Sequence, residues 1–176
     1  MSTKSSKRAL RFSLLRGGEP FLRGDLFELA SYSRSRGLRT NVITNGYYIT
    51  PKNVKQVAEV FDRVTVSLDH GLEVYNDYHR GKGSWKKAVR ALELLMEAGV
   101  SVDINSVLSR FGLQDIEELL RFMGKYRVDR HRIMPMFPMG RGATAHDAQL
   151  TPDEFMALNE RIFRASERLK ETCKVV

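Results

Sequence analysis

Short β-branched runs and amphipathic helical stripes alternate along this chain. Ala9–Leu15, Thr40–Thr44, Val64–Leu68, Val100–Leu108 and Ile133–Met136 are brief and rich in apolar residues, which predicts five buried strands. Between them the apolar positions change to helical spacing. Leu22, Leu26, Leu29, Ala30 and Ser33 share a face that stops at Gly37, and Val54, Val57, Ala58 and Phe61 follow Thr50-Pro51, an N-cap with a first-turn proline. Trp85, Ala88, Val89, Leu92, Leu95 and Met96 form a wide stripe between Ser84, its cap, and Gly99. Ile116, Leu119, Leu120 and Met123 mark the next helix, and Thr151-Pro152-Asp153-Glu154 reads as a capping box opening the last. The segment from His70 to Gly83 carries no such stripe and reads as a longer polar loop.

Strand then helix, repeated five times, predicts an α/β fold with a parallel sheet, right-handed crossovers and helices on its outside. The units are too dissimilar for a solenoid. In such sheets ligands sit at the carboxyl ends of the strands, where short βα loops and helix N-termini converge. Gly17-Gly18-Glu19, Thr44-Asn45-Gly46, Ser67-Leu68-Asp69, Asn105 with Arg110, and Pro138-Met139-Gly140-Arg141-Gly142 all fall at such ends.

Each feature alone has an ordinary reading. Asn45-Gly46 is either a turn or a ligand contact, since both residues tolerate positive φ. Asp69 is a solvated loop acid, an N-cap or a ligand contact. Asn105, in a mostly apolar run, needs a partner from backbone or ligand. Arg110 and Arg141 are surface cations or anion contacts. His70, His79, His131 and His146 show no metal-ligand spacing and read as surface or loop histidines.

With 176 residues the chain suits one domain, and 42% hydrophobic with 28% charged residues matches globular protein rather than a disordered tail. No run approaches membrane-spanning length, and Ala9–Leu15, broken by Arg11, is too short for a signal-peptide core, so the cytoplasm is the expected location. A net charge of +8 raises nucleic acid as a partner, yet the bases are scattered, which favours solvated surface charge. A lone cysteine, Cys173, excludes an intrachain disulfide and cannot by itself hold a metal or an iron-sulfur cluster.

Taken together and in order, Gly17-Gly18-Glu19-Pro20, Thr44-Asn45-Gly46, Val66-Ser67-Leu68-Asp69, the stretch Tyr75 to Gly81, Asn105-Ser106-Val107-Leu108 and Pro138 to Gly142 resemble the radical SAM superfamily over residues 10–145. The resemblance is strongest to the branch of peptide-modifying and haem-pathway maturases with cysteine-rich C-terminal extensions. It implies a partial parallel (β/α) barrel holding S-adenosylmethionine across its strand ends beside a [4Fe-4S] cluster, with a peptide, protein or tetrapyrrole-type substrate. By that resemblance the loop Gly17, Gly18, Glu19 and Pro20 meets the methionine amino group. Asn45 sits at the next strand end. Ser67 and Asp69 reach the ribose or methionine end, Asn105 the ribose, Arg110 the carboxylate, and backbone around Met134 the adenine.

The chain departs from the family at one point. The Cys-x-x-x-Cys-x-x-Cys loop that supplies the cluster's thiolates is absent, and the sequence opens just before what resembles the second barrel strand. Arg16 stands where the family has a small or hydroxylated residue. The expected division is a polar basic tail over residues 1–8, the partial barrel over 9–145, and a helix with the start of an extension over 146–176. The departures imply a truncated or inactive form whose open sheet edge associates with another chain. A non-catalytic S-adenosylmethionine- or partner-binding module and a basic nucleic-acid-binding domain are the alternatives.

Overall fold

The structure, a computed structural model, describes residues 12–110, 113, 116–126, 128–136, 148–169 and 174–175. Its frame is a six-stranded sheet in which every neighbouring pair is parallel and spatial order follows sequence order. The strands are β1 (Phe12–Leu15), β2 (Arg39–Thr44), β3 (Arg63–Ser67), β4 (Ser101–Leu108), β5 (Arg130–Pro135) and β6 (Lys174–Val175). Unchanged order from one edge to the other is the winding of a partial barrel, because a doubly wound sheet reverses direction at a switch point.

Alternation along the strands separates two faces. Val42, Val64, Val66, Val102 and Ile104 are buried and join one apolar core with the helices. That core includes Leu26 and Ala30 of α1 (Leu26–Ser35), Val54 and Val57 of α2 (Val54–Val60), and Ile116, Leu119 and Met123 of α5 (Ile116–Lys125). The largest share comes from α4 (Ser84–Glu97), which buries Ala88, Val89, Ala91, Leu92, Leu94 and Leu95. Each such leucine contributes about 1.5–3 kcal/mol of transfer free energy. Residues of opposite parity, among them Asn41, Ile43, Arg63, Thr65, Asp103, Arg130 and Arg132, line an open trough of about 1280 Å³ on the inner face.

A layer of charge forms the floor of this trough. Asp103, its side chain 9% exposed, pairs with Arg63 and, at 3.0 Å, with Arg130, and Asp129 pairs with Arg63 at 3.2 Å. These groups interlock across β3, β4 and β5.

Several expectations are corrected. The stretch from His70 to Gly83 is not a loop throughout: it contains α3 (Glu73–Arg80), whose only buried residue is the polar Asn76. Polar hydrogen bonds, rather than an apolar stripe, hold this helix. A sixth strand follows α6 (Pro152–Leu169), beyond the five units expected. β5 begins at Arg130, not Ile133, because arginine and histidine occupy its first positions. Pro51 lies in a turn ahead of α2, and Gly83, at φ +79°, is the N-cap of α4 in place of Ser84. His70 and His131 are buried rather than at the surface. His131 points to the helix-covered face, where its Nε2 meets Ser106 Oγ at 2.7 Å, and burial pushes the imidazole down to about 3. His146, Cys173 and the segment from Phe137 to Gly142, with Arg141, lie outside the described residues.

The capping box is formed as expected. Glu154 N–H donates to Thr151 Oγ1 at 3.2 Å and Thr151 N–H donates to Glu154 Oε2 at 2.8 Å. No described helix is long and apolar enough to cross a membrane. At the free side of β1, Phe12 and Leu14 are exposed, and β2 is the strand's only partner among the described residues.

Candidate functional site

β1 ends where Arg16, Gly17 and Gly18 turn outward into solvent. A Cβ added at either glycine meets nothing within 4 Å, so the backbone there is open to a ligand. Glu19 then caps a single 3₁₀ turn, Pro20–Leu22, with Pro20 buried at its first position. The Glu19 carboxylate accepts from Phe21 N–H at 3.2 Å, Thr44 Oγ1 at 2.8 Å and Asn45 N–H at 2.8 Å. It therefore stitches the glycine loop to the end of β2. Three of roughly four acceptor positions are used, which leaves one for a donor above the loop.

At the end of β2, Asn45 makes a turn, its Oδ1 accepting Tyr47 N–H at 2.8 Å. Gly46 is required twice over: its φ is +80°, and a Cβ would sit 3.0 Å from the Ala91 Cβ of α4. The side chain of Asn45 is exposed and engaged within its own loop.

Asp69, just past β3, is buried and serves the protein interior. Its Oδ1 accepts from Val107 N–H at 2.8 Å and from Arg80 Nη2 at 2.7 Å, and its Oδ2 lies 2.6 Å from Arg80 Nε. Asn76 Oδ1 accepts Asp69 N–H at 2.9 Å, and Asn76 Nδ2 donates to Ser84 Oγ at 2.9 Å. Ser84 in turn donates to Asp77, which also accepts from Gly83 and Trp85 N–H. Burial pushes the Asp77 carboxyl up, but the bonds from Trp85, Gly83 and Ser84 outweigh it and hold the group below the usual carboxylate range. This chain of bonds seats α3 against the ends of β3 and β4.

Ser67, Asn105 and Arg132 form a cross-strand row, since Ser67 pairs with Asn105 and Asn105 with Arg132. Parity places all three on the inner face. Asn105 Oδ1 is buried and finds no donor among the described residues. Such an acceptor is costly unless something fills it. Met134 follows on the same face, half-buried and paired with Val107.

Arg110 turns away from this row. Its Nε lies 3.0 Å from each Glu154 oxygen, joining β4's exit to the α6 capping box. The structure thus brings together the glycine loop, Glu19, Ser67, Asn105 and Met134 on one rim, assigns Asp69 to α3, and commits Arg110 to α6. The residues to which sequence reasoning assigned no site role of their own are Arg80, Asn76 and Arg132; Thr44 was legible as a strand-end residue, without its bond to Glu19. The Arg-His-Arg alternation of 130–132 was the one legible sign of Arg132, since a strand there turns both arginines inward.

The chain belongs to the radical SAM superfamily, whose family model covers residues 4–123. It is 32% identical over 160 residues to an Fe-coproporphyrin III synthase of Methanosarcina barkeri, covering 90% of this chain and 40% of that protein. To the mycofactocin maturase MftC of Mycolicibacterium smegmatis it is 38% identical over 133 residues, covering 74% and 34%. Among solved structures, Streptococcus suis SuiB bound to S-adenosylmethionine superposes with a TM-score of 0.72 at 17% identity, over 93% of this chain and 38% of SuiB. The chain thus spans less than half the length of these relatives.

The family implies two groups, and the residues suit them differently. S-adenosylmethionine offers hydroxyl and ammonium donors, and the chain offers the unfilled Asn105 Oδ1, a spare Glu19 lone pair and open glycine backbone. A [4Fe-4S] cluster requires thiolates, and a chain with one cysteine does not supply them. Among the described residues no group of His, Cys, Asp or Glu is arranged to hold a metal ion.

Proposed function

We propose that this chain is the S-adenosylmethionine-binding part of a radical SAM protein, laying the cofactor across the carboxyl ends of β1 to β5. The observation that carries this reading is Asn105 Oδ1, a buried acceptor with no donor among the described residues, in register with Ser67 at the rim that the glycine loop opens. Asn105 accepts from a ribose hydroxyl, Glu19 and the Gly17-Gly18 backbone take the methionine ammonium, and backbone near Met134 borders the adenine. When bound, S-adenosylmethionine supplies a sulfonium whose C–S bond is cleaved by one-electron reduction. The chain's own share is placement and exclusion of water. No step through an iron-sulfur cluster is assigned to it, because it lacks the thiolates.

The relatives' names, a tetrapyrrole synthase and a maturase, support a substrate that is a tetrapyrrole or a peptide. The test is calorimetric titration of the 176-residue chain with S-adenosylmethionine. Saturable binding that weakens roughly tenfold in Asn105→Ala is expected, as for one lost hydrogen bond in a desolvated site. No binding in the millimolar range overturns the reading.

A further inference from the structure

Arg132 is an inner-face cation in the row of Asn105 that no described residue pairs with. It is exposed, it lines the trough, and it makes no ion pair or hydrogen bond with the described residues. Its neighbours Arg63 and Arg130 are matched by Asp103 and Asp129, so that cluster sums to zero charge. Arg80 and Arg110, cations near these strand ends, are matched by Asp69 and Glu154. What remains beside Asn105 is a single positive charge with neutral Ser67 and Asn105 in its row.

We infer that Arg132 is a substrate-binding residue that selects a molecule carrying a carboxylate, held next to the cofactor's ribose. A guanidinium presents paired N–H donors that match a carboxylate's two oxygens, and one unmatched positive charge suits a singly charged carboxylate group better than a doubly charged phosphate group. The inference rests on the cofactor reading above, and that reading assigns the anion to a second molecule. The cofactor's ammonium lies at the Glu19 loop after β1, and its carboxylate hangs from the same carbon. Arg132 is on β5, four strand spacings or roughly 19 Å away along the sheet. One α-carbon does not serve both places, so the carboxylate at Arg132 belongs to the substrate.

Two carboxylates distinguish the sources: coproporphyrin III, a tetrapyrrole acid, and N-acetyl-Gly-Gly, a peptide C-terminus, each titrated beside its methyl ester with S-adenosylmethionine present. At least one acid is expected to bind saturably and its ester roughly ten- to a hundredfold more weakly, the span of one charge-assisted hydrogen-bonded pair. Arg132→Gln is expected to lower the acid's affinity to that of its ester, Arg132→Lys to restore part of it, and both to leave S-adenosylmethionine affinity within about twofold. Arg39→Gln, an exposed arginine on the same face at the opposite end of the strands, serves as the control and changes nothing. The inference is overturned if neither acid binds below about 10 mM, if acid and ester bind alike, if Arg132→Gln has no effect, or if inorganic phosphate is preferred. Absence of S-adenosylmethionine binding to the unsubstituted chain is the separate failure of the cofactor reading.

Discussion

Asp69 Oδ1 accepts the backbone N–H of Val107 at 2.8 Å, a bond across 38 residues that ties the exit of β3 to the end of β4. The same carboxylate neutralises Arg80 on α3. Its side chain is only 9% exposed and that of Arg80 25%, so removing the acid strands a mostly buried guanidinium and a backbone donor together. Asp69→Ala is expected to cost about 3 kcal/mol in equilibrium urea unfolding, the range for breaking a buried ion pair. A loss under about 1 kcal/mol, typical of exposed pairs, would show that α3 is held by Asn76 and Asp77 alone.

The glycines divide into two kinds. Gly17 and Gly18 have open space where a Cβ would go, whereas a Cβ on Gly71 would lie 2.7 Å from the Glu118 carbonyl oxygen of α5. Gly18→Val is therefore expected to keep stability within about 0.5 kcal/mol and to weaken S-adenosylmethionine binding roughly tenfold or more by blocking backbone approach. Gly71→Ala is expected to lose about 1–3 kcal/mol of stability through overpacking. Denaturant melts and titrations on both variants check this, and a Gly18 variant that unfolds while binding normally reverses the assignment.

Much of this frame is legible in the sequence because valine, isoleucine and leucine at period two or 3.6 report burial directly. All five expected strands are present among the described residues, four of them within a few residues of their expected bounds and the first from Phe12, since residues 9–11 lie outside the described residues. What periodicity does not report is polar burial. α3 was invisible because Asn76, its buried residue, holds the helix through an amide. The start of β5 was hidden because Arg130 and Arg132 face a polar trough and His131 a core that accepts a neutral imidazole. The glycine loop and Asn105 were readable as strand-end features. The partners of Asp69 and Arg110 were not, since Arg80 and Glu154 are 11 and 44 residues away and tertiary packing makes the choice.

The trough floor offers an internal comparison of two aspartates. Asp103 is nearly buried and shared by Arg63 and Arg130, while Asp129 is half exposed and bonded to Ser101 and Arg63. Asp103→Ala is expected to destabilise by about 3 kcal/mol because two arginines lose their common partner in a partly desolvated layer. Asp129→Ala is expected to cost no more than about 1 kcal/mol, as water screens its pair. Chemical denaturation of the two variants separates them, and equal losses would mean that the layer is solvated throughout.

The buried His131 predicts the chain's response to mild acid. In the unfolded chain its imidazole titrates near the ordinary 6.5, whereas burial holds the native group at about 3. Between those values the unfolded state binds a proton that the native state refuses. Stability from this residue is complete above about pH 6.5 and is lost as pH falls toward 3, by about 1.4 kcal/mol per pH unit. Burial also lowers His79, so its proton adds to the same trend. Carboxylates held low, such as Asp62 and Asp77, lose their contributions only as pH falls below about 4. Unfolding free energies measured from pH 7 to 4.5 are therefore expected to fall, and His131→Leu is expected to flatten that slope by about one proton. Ser106 Oγ donates to the Leu68 carbonyl independently of His131, so this strand contact is expected to survive the substitution. Parallel pH profiles for the two proteins would mean that His131 is protonated in the native state and that its buried Nδ1 has a partner the structure does not hold.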